Sequence, residues 1–312
     1  MVLYTDRPQS KSDLTEIYNK QRIDLGEISS SSAQEGSLRV QARVALIGAS
    51  GRMGARIDAL AASDASMIIT RRYGRTGCAN CDLAVPIDAI IDFSNETGTR
   101  QAMAIARESS AALLVGTTGL SAEIQQELAV LARTNAVLVA PNTSLGIAVT
   151  RKLARMAAVM LAPSGWTVDI VESHHDRKKD APSGTAIALA RALESGGMQV
   201  PADRIHAIRA GDTIGEHEIR LAGPSERIHL MHQAVSRDLF AAGAIRAAKW
   251  LVGKPPGAYT MDDIMDDIMG DVMGEVMGEV MGEVMGEVMG EVMGEVMGDM
   301  MDDMTDDLRP AK

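Results

Sequence analysis

One stretch restricts the fold more than any other. A strand-like run over residues 40–47, Val-Gln-Ala-Arg-Val-Ala-Leu-Ile, enters Gly48-Ala49-Ser50-Gly51-Arg52-Met53-Gly54 and continues into a segment rich in Ala and Leu. A buried strand, a glycine turn and a helix, in that order, form the context in which spaced glycines imply dinucleotide binding. Gly48 permits the tight turn, Gly51 lets the backbone approach a pyrophosphate, and Gly54 lets the helix pack close to the sheet. The helix N-terminus adds free N–H donors and the positive end of the helix dipole.

The pattern continues as strand and helix in alternation. Strands are predicted at residues 66–70, 88–93, 112–115 and 136–139. Ser94-Asn95-Glu96-Thr97 caps a helix running to about residue 109, and Ser121 caps another. Such alternation predicts an α/β, doubly wound parallel sheet. Gly116-Thr117-Thr118-Gly119 and Ala140-Pro141-Asn142-Thr143 fall at the carboxyl ends of strands, the edge where ligands bind in such sheets. After the second strand stands Thr70-Arg71-Arg72, with no acid to bond a ribose 2′-hydroxyl. Arg71 is therefore expected to meet a 2′-phosphate. NADPH is the preferred cofactor on this reading, and NADH stays open.

Residues 145–161 read as an amphipathic helix that leaves this first unit and starts a second. A polar knot follows: Glu172-Ser173-His174-His175-Asp176-Arg177-Lys178-Lys179-Asp180-Ala181-Pro182-Ser183-Gly184-Thr185-Ala186. It is expected at the mouth of a strand-to-helix crossover, where side chains can be exposed without cost to the core. Ser183, Gly184 and Thr185 would put a hydroxyl and free N–H groups at a helix N-terminus, a site for a carboxylate or phosphate. Paired imidazoles, an ammonium and an anion nest suit an anionic substrate that must receive a proton.

Three strand-like runs, at 206–209, 217–221 and 227–234, predict an open mixed or antiparallel sheet with a face or edge left for another subunit. His206, His217, His229 and His232 along it read as surface or satisfied core residues rather than ligands. A helix over 238–252 follows Ser236 as its cap. Cys78 and Cys81 read as part of a surface loop, since no further zinc ligands stand at matching spacing. No metal is expected.

The domains expected are a flexible arm at 1–38, a dinucleotide-binding domain at 39–144 with residues 237–264 packing back on it, a substrate-binding and oligomerisation domain at 145–236, and a low-complexity tail at 265–312. The chain's net charge of -11 belongs to its end, because residues 261–308 hold 16 Asp/Glu and no Lys/Arg. The body is slightly basic, which is no nucleic-acid signature. The end repeats mostly as Met-Gly-Glu-Val. Glycine at nearly every fourth position and acids at i, i+4 predict a disordered or weakly helical segment. No secretory signal and no run of about 18 apolar residues occur, so a soluble, cytoplasmic protein without membrane contact is expected.

Taken together, these motifs resemble one family. Gly48 to Gly54, Asp92-Phe93-Ser94, Gly116 to Gly119, Ala140-Pro141-Asn142, Glu172-Ser173-His174-His175 with Lys178, Asp180 to Ala186, Arg209-Ala210-Gly211-Asp212 and Gly215-Glu216-His217 occur in the order found in 4-hydroxy-tetrahydrodipicolinate reductases, long called dihydrodipicolinate reductases. The resemblance covers roughly residues 40–264. It implies an N-terminal Rossmann-type domain, a C-terminal α+β domain with an open mixed sheet, and a homotetramer built on that sheet. The implied reaction removes water from a cyclic hydroxy dicarboxylate and reduces the product with a nicotinamide hydride, in lysine and diaminopimelate biosynthesis.

The resemblance also implies residue roles. His174 is the proton donor/acceptor and Lys178 the proton donor. His175 contacts the substrate, and Gly184 and Thr185 hold a substrate carboxylate. Gly48, Ala49, Ser50, Gly51, Arg52, Met53, Gly116, Thr117, Thr118, Ala140, Pro141, Asn142 and Thr143 line the cofactor. Three features depart from the family: no acid follows the second strand, the connection from Arg72 to Ile87 is short, and the arm and tail have no counterpart. The residues leave two other readings open. One is a different NADPH-linked reductase of a small dicarboxylate on the same plan, and the other is an interaction protein acting through its tail.

Overall fold

The computed structural model describes residues 41–276 and 278, apart from Asn80. The arm at 1–38 and the repeat from 279 onward lie outside the described residues. The first half of the described chain runs β1 (Ala42–Ile47), α1 (Arg52–Ala61), β2 (Met67–Gly74), β3 (Gly77–Ala79), β4 (Ala89–Asp92), α2 (Glu96–Ser109), β5 (Ala112–Val115), α3 (Ala122–Leu131) and β6 (Ala136–Val139). The second half runs α4 (Leu145–Leu161), β7 (Thr167–His174), α5 (Gly184–Ser195), β8 (Ile205–Arg209), β9 (Glu216–Ala222), β10 (Arg227–Gln233), α6 (Asp238–Leu251) and β11 (Gly257–Tyr259). A last helix, α7, occupies residues 261–276.

The first sheet has the order β11-β6-β5-β4-β1-β2-β3. Its strands pair in parallel except β3, which turns back against β2 as a hairpin. Side chains alternate across it, and both faces are buried, which is why β5 and β6 read as unbroken apolar runs. Val44, Leu46, Ile91 and Leu114 face α1, α6 and α7. Ala45, Ile47, Ile90 and Leu113 face α2 and α3. Leu46, Ile90, Ile91, Leu113 and Leu114 are wholly buried, each contributing about 1.5–3 kcal/mol.

The second sheet has the order β10-β9-β7-β8, with β7 and β8 parallel and the other pairs antiparallel. One face packs on α4 and α5 through Val168, Ile170, Ile219, Leu221, Leu189 and Leu193. The other face carries exposed Ile208 and Met231. Helix α4 serves both cores. Ala148 joins the first, while Ala154 and Ala158 join the second.

Four boundaries differ from expectation. Strand β2 continues to Gly74, because Arg71, Arg72 and Tyr73 keep pairing with β1 past a register shift at Val44/Ala45. Residues 77–79 form strand β3 rather than loop, with the sulfurs of Cys78 and Cys81 lying against each other. Arg237, not Ser236, is the N-cap of α6, although Ser236 Oγ accepts from Asp238 N–H at 3.1 Å.

The fourth difference is the start of the acidic tail, which is a docked helix. Ile264 and Met265 are buried in the first core, and Ile268 packs against it. Three of its acids have cationic partners: Asp262 pairs with Arg151 at 2.7 Å, Asp266 with Lys152, and Asp267 accepts from Lys254 and also from Trp250. Tertiary contacts thus offset the like-charge repulsion that made this segment a poor helix in isolation. Gly270 and Gly274 are exposed within α7, with nothing within 4 Å of an added Cβ. Gly270→Ala and Gly274→Ala should therefore each stabilise α7 by up to about 1 kcal/mol. Slower amide exchange at residues 265–276 would register it, and unchanged exchange would contradict it.

Candidate active site

The glycine turn sits where the strand order reverses, between β1 and β4, the usual ligand crevice of such sheets. Gly48 has φ +84°, and a Cβ there would overlap the carbonyl of Phe93 at the end of β4. A Cβ on Gly54 would overlap the carbonyl of Gly48. The amides of Gly48 and Ala49 both donate to Tyr73 O, at 2.9 and 3.0 Å. Gly51 is the N-cap of α1 and brings no side chain to cover the first N–H groups. Ser50 and Arg52 are exposed, whereas Met53 leans on the core. This backbone cradle fits a dinucleotide pyrophosphate.

Arg71 is not at the end of this crevice. It lies opposite Ala45, inside β2, and donates to the carbonyls of Asp82, Leu83 and Val85. Arg72 is bonded to Asp58 at 2.6 Å. The strand end beside the glycine turn is Gly74, whose added Cβ would touch Ser50 Oγ at 3.2 Å, and the next residue is the exposed Arg75. The polar run at 70–72 disguised four further residues of strand, 71–74.

At the ends of β4 and β5 the polar groups face inward. Thr117 Oγ1 donates to the buried carboxylate of Asp92 at 2.9 Å and accepts from Ser94 N–H at 2.9 Å. Thr99 Oγ1 also donates to Asp92, at 2.6 Å. Burial pushes the Asp92 carboxyl above its ordinary range against these hydrogen bonds. A Cβ on Gly116 would overlap the Phe93 ring, and Thr118 and Gly119 are the exposed members of the turn. After β6, Ala140 and Thr143 are buried, with Thr143 Oγ1 donating to Phe240 O at 2.7 Å.

Asn142 joins the two halves. Its Nδ2 donates to Thr185 Oγ1 at 3.1 Å, while its Oδ1 accepts from Ser144 N–H. Around that contact is an open cavity of about 660 Å³. Thr118, Ala140, Pro141 and Asn142 line one side. His174, Lys178, Asp180, Ser183, Gly184 and Thr185 line the other, with Arg151 between. His175 is not on its wall, and the buried Nδ1 of His175 has no partner among the described residues.

The polar knot is less exposed than expected. Glu172 and His174 are the last inward residues of β7, in phase with Val168 and Ile170. Glu172 is wholly buried and His174 is 8% exposed. Arg209, opposite His174 on β8, grips Glu172 through both terminal nitrogens at 2.9 and 3.1 Å. The ring nitrogen Nδ1 of His174 bonds Glu172 Oε2. Burial alone would raise the Glu172 carboxyl, but hydrogen bonds from Arg209 and His174 outweigh it and hold the group below its usual range. Burial lowers the His174 imidazole, and Glu172 opposes that shift.

Lys178 follows a turn closed by its own N–H to His175 O at 3.0 Å, and its Nζ meets Asp180 at 2.8 Å. Ser183 caps α5, its Oγ accepting from Ala186 N–H at 3.2 Å, which leaves the N–H groups of Gly184 and Thr185 facing the cavity end.

Two histidines that read from the sequence as surface or satisfied core residues also converge here, each with a buried Nδ1 that has no partner among the described residues. The register sets His232 beside His217 and His217 beside Glu172 in one cross-strand row. The rings of His174 and His217 meet edge-on at 5.1 Å, and those of His217 and His232 lie 6.2 Å apart. Burial, then the neighbouring imidazoles, lower His217 to about 4. The available signal was phase, because His217 precedes Ile219 and Leu221 at two-residue spacing, as His232 follows Ile228 and Leu230. Among the described residues, no group of three His, Cys, Asp or Glu is placed to hold a metal.

Comparison with known proteins agrees over both halves of the fold. Residues 42–143 match the family described as dihydrodipicolinate reductase, N-terminus, and residues 146–265 its C-terminus. A 4-hydroxy-tetrahydrodipicolinate reductase of Stenotrophomonas maltophilia (strain R551-3) is 41% identical over 236 residues, covering 71% of this chain and 97% of that protein. One from Xanthomonas axonopodis pv. citri (strain 306) is 40% identical over 235 residues, with the same coverage. The solved structure of a dipicolinate-bound dihydrodipicolinate reductase from Paenisporosarcina sp. TG-14 superposes with a TM-score of 0.60 at 20% identity, covering 71% of this chain and 98% of that one. At that identity the likeness speaks for the fold.

Proposed function

Because the chain belongs to the dihydrodipicolinate reductase family, an NAD(P)H-dependent oxidoreductase family of lysine and diaminopimelate biosynthesis, we propose the following division of labour for the reduction of 4-hydroxy-tetrahydrodipicolinate. The observation that carries it is the single cavity bounded by both the sheet edge and the His174–Lys178 turn, with Asn142 bonded to Thr185 across it. Neither a different dicarboxylate reductase nor a tail-driven interaction protein is favoured.

When bound, the reduced nicotinamide supplies the hydride. Gly48 to Met53 hold the pyrophosphate through backbone N–H groups, with Thr118, Pro141 and Asn142 further along the same edge. Gly116, Thr117, Ala140 and Thr143 shape that edge from beneath. Gly184 and Thr185 receive a substrate carboxylate on the N-terminus of α5. Lys178 delivers a proton to the atom next to the one that is reduced, and its charge balances the dianion. His174 exchanges protons with it, whereas His175, off the cavity wall with its Nδ1 buried, is left out of the substrate contacts.

For the cofactor, the 2′-phosphate partner is Arg75 rather than Arg71. Arg75 follows the end of β2 beside Ser50, is exposed, and makes no salt bridge among the described residues. The absence of an acid at that strand end supports NADPH over NADH. The open face of the second sheet, with Ile208 and Met231 exposed, supports a homotetramer built on it. Among the described residues no helix is long and apolar enough to cross a membrane, and a cytoplasmic enzyme is the reading taken.

The test is NADPH oxidation on adding freshly generated product of the preceding synthase. Turnover is expected, and none would sink the reading. Arg75→Ala should raise KM for NADPH by about 10- to 100-fold, the worth of a lost charge-assisted hydrogen bond. KM for NADH should barely move, and equal effects on both would refute the assignment.

A further inference from the structure

Glu172 takes no part in the chemistry above, yet all of its hydrogen-bonding capacity is used. Oε1 accepts from Ser183 N–H at 3.1 Å and from Arg209 Nη2 at 2.9 Å. Oε2 accepts from Arg209 Nη1 at 3.1 Å and from the Nδ1 edge of His174. Arg209 then reaches past it to the carbonyls of Lys178, at 3.3 Å, and Asp180. One ion pair, its Glu172 wholly buried and its Arg209 side chain 19% exposed, therefore touches the imidazole, the first turn of α5 and the turn that carries Lys178.

We propose that Glu172 and Arg209 are positioning residues for the reduction. Glu172 fixes His174 with its proton on Nδ1 and leaves Nε2 for proton exchange, while Arg209 sets the Lys178 turn against the cavity. This rests on the reading of His174 and Lys178 as the proton-handling groups. A carboxylate only accepts, so the nitrogen bonded to it must carry the hydrogen. Gly215 keeps the other nitrogen accessible, because a Cβ there would stand 3.1 Å from Nε2. The arrangement cannot be swapped for a neutral one cheaply. Removing one partner of a buried pair strands the other's charge.

The groups facing His174 are Glu172 on its own strand, Arg209 on β8, Lys178 and Asp180 in the following turn, Ser183 at the start of α5, and His217 on β9 with His232 behind it. Of the acids, Glu172 is the one bonded to the ring. Its charge favours the imidazolium, while burial, Lys178 and Arg209 disfavour it. Without that charge His174 loses its proton at lower pH. The alkaline limb of kcat in Glu172→Gln should therefore move to lower pH by about 1–3 units.

The experiment is imidazole nitrogen NMR on the full chain, paired with kcat–pH profiles. In the unaltered protein above its titration, His174 is expected as the Nδ1–H tautomer. In Glu172→Gln, its titration and the alkaline limb should shift together, and Glu172→Asp should return both toward the starting values. An Nε2–H tautomer in the unaltered protein overturns the proposal and needs no variant to fold. So does a folded Glu172→Gln with both unchanged. The tautomer is read without substrate, so failure of the reductase assay would count against the functional reading alone.

Discussion

Lys178→Ala is expected to lower kcat by about 10²- to 10³-fold, the usual loss when a positioned general acid is removed. That corresponds to about 3–4 kcal/mol of transition-state stabilisation. The dissociation constant for NADPH should stay within about twofold, because Lys178 lies in the substrate half and no hydrogen bond joins it to the glycine turn. Stability should also hold. The side chain pairs with an exposed carboxylate, Asp180, and such pairs contribute about 0–1 kcal/mol. Lys178→Arg should recover little, since a guanidinium holds its proton too tightly to give it up. Stopped-flow turnover with equilibrium cofactor titration separates the terms. An undiminished kcat would remove Lys178 from the chemistry, and a matching fall in cofactor affinity would mean that it supports the fold instead.

What the sequence disclosed and what it hid divide along a physical line. Local chemistry was legible. The short strands at 112–115 and 136–139 are apolar throughout, and Ser121 accepts from the third amide of its helix as a capping residue does. The glycine turn declared both a strand and a helix. Groups whose environment is made by distant partners were not legible. Glu172 and His174 looked like loop residues, since the cation that allows their burial lies at Arg209 on a strand paired only in the fold. Arg71 looked like a strand end, because nothing local says that Ala45, Leu46 and Ile47 go on pairing with residues 71–73. Helix α7 looked unstable, since Arg151, Lys152 and Lys254 that neutralise its acids belong to other elements.

The glycine turn offers the sharpest test of the first half, because two glycines with similar backbone angles should respond differently. Gly48 has φ +84° and Gly119 has φ +72°. Either alanine pays the strain of a left-handed backbone, about 1–2 kcal/mol. At Gly119 nothing lies within 4 Å of an added Cβ, so the strain is the whole cost. At Gly48 the new methyl would overlap the Phe93 carbonyl, in the line between β1 and β4 where neither backbone can retreat without breaking sheet hydrogen bonds. Gly48→Ala should therefore cost about 3–5 kcal/mol in total, near the upper end for single substitutions. A domain of this size would lose roughly 6–20 °C in Tm. Any folded Gly48→Ala should also bind NADPH at least about tenfold more weakly, since the turn that faces the pyrophosphate must move. Thermal unfolding of the two variants side by side decides it. Equal losses would show that the close approach of Phe93 to Gly48 is not the constraint that shapes the crevice.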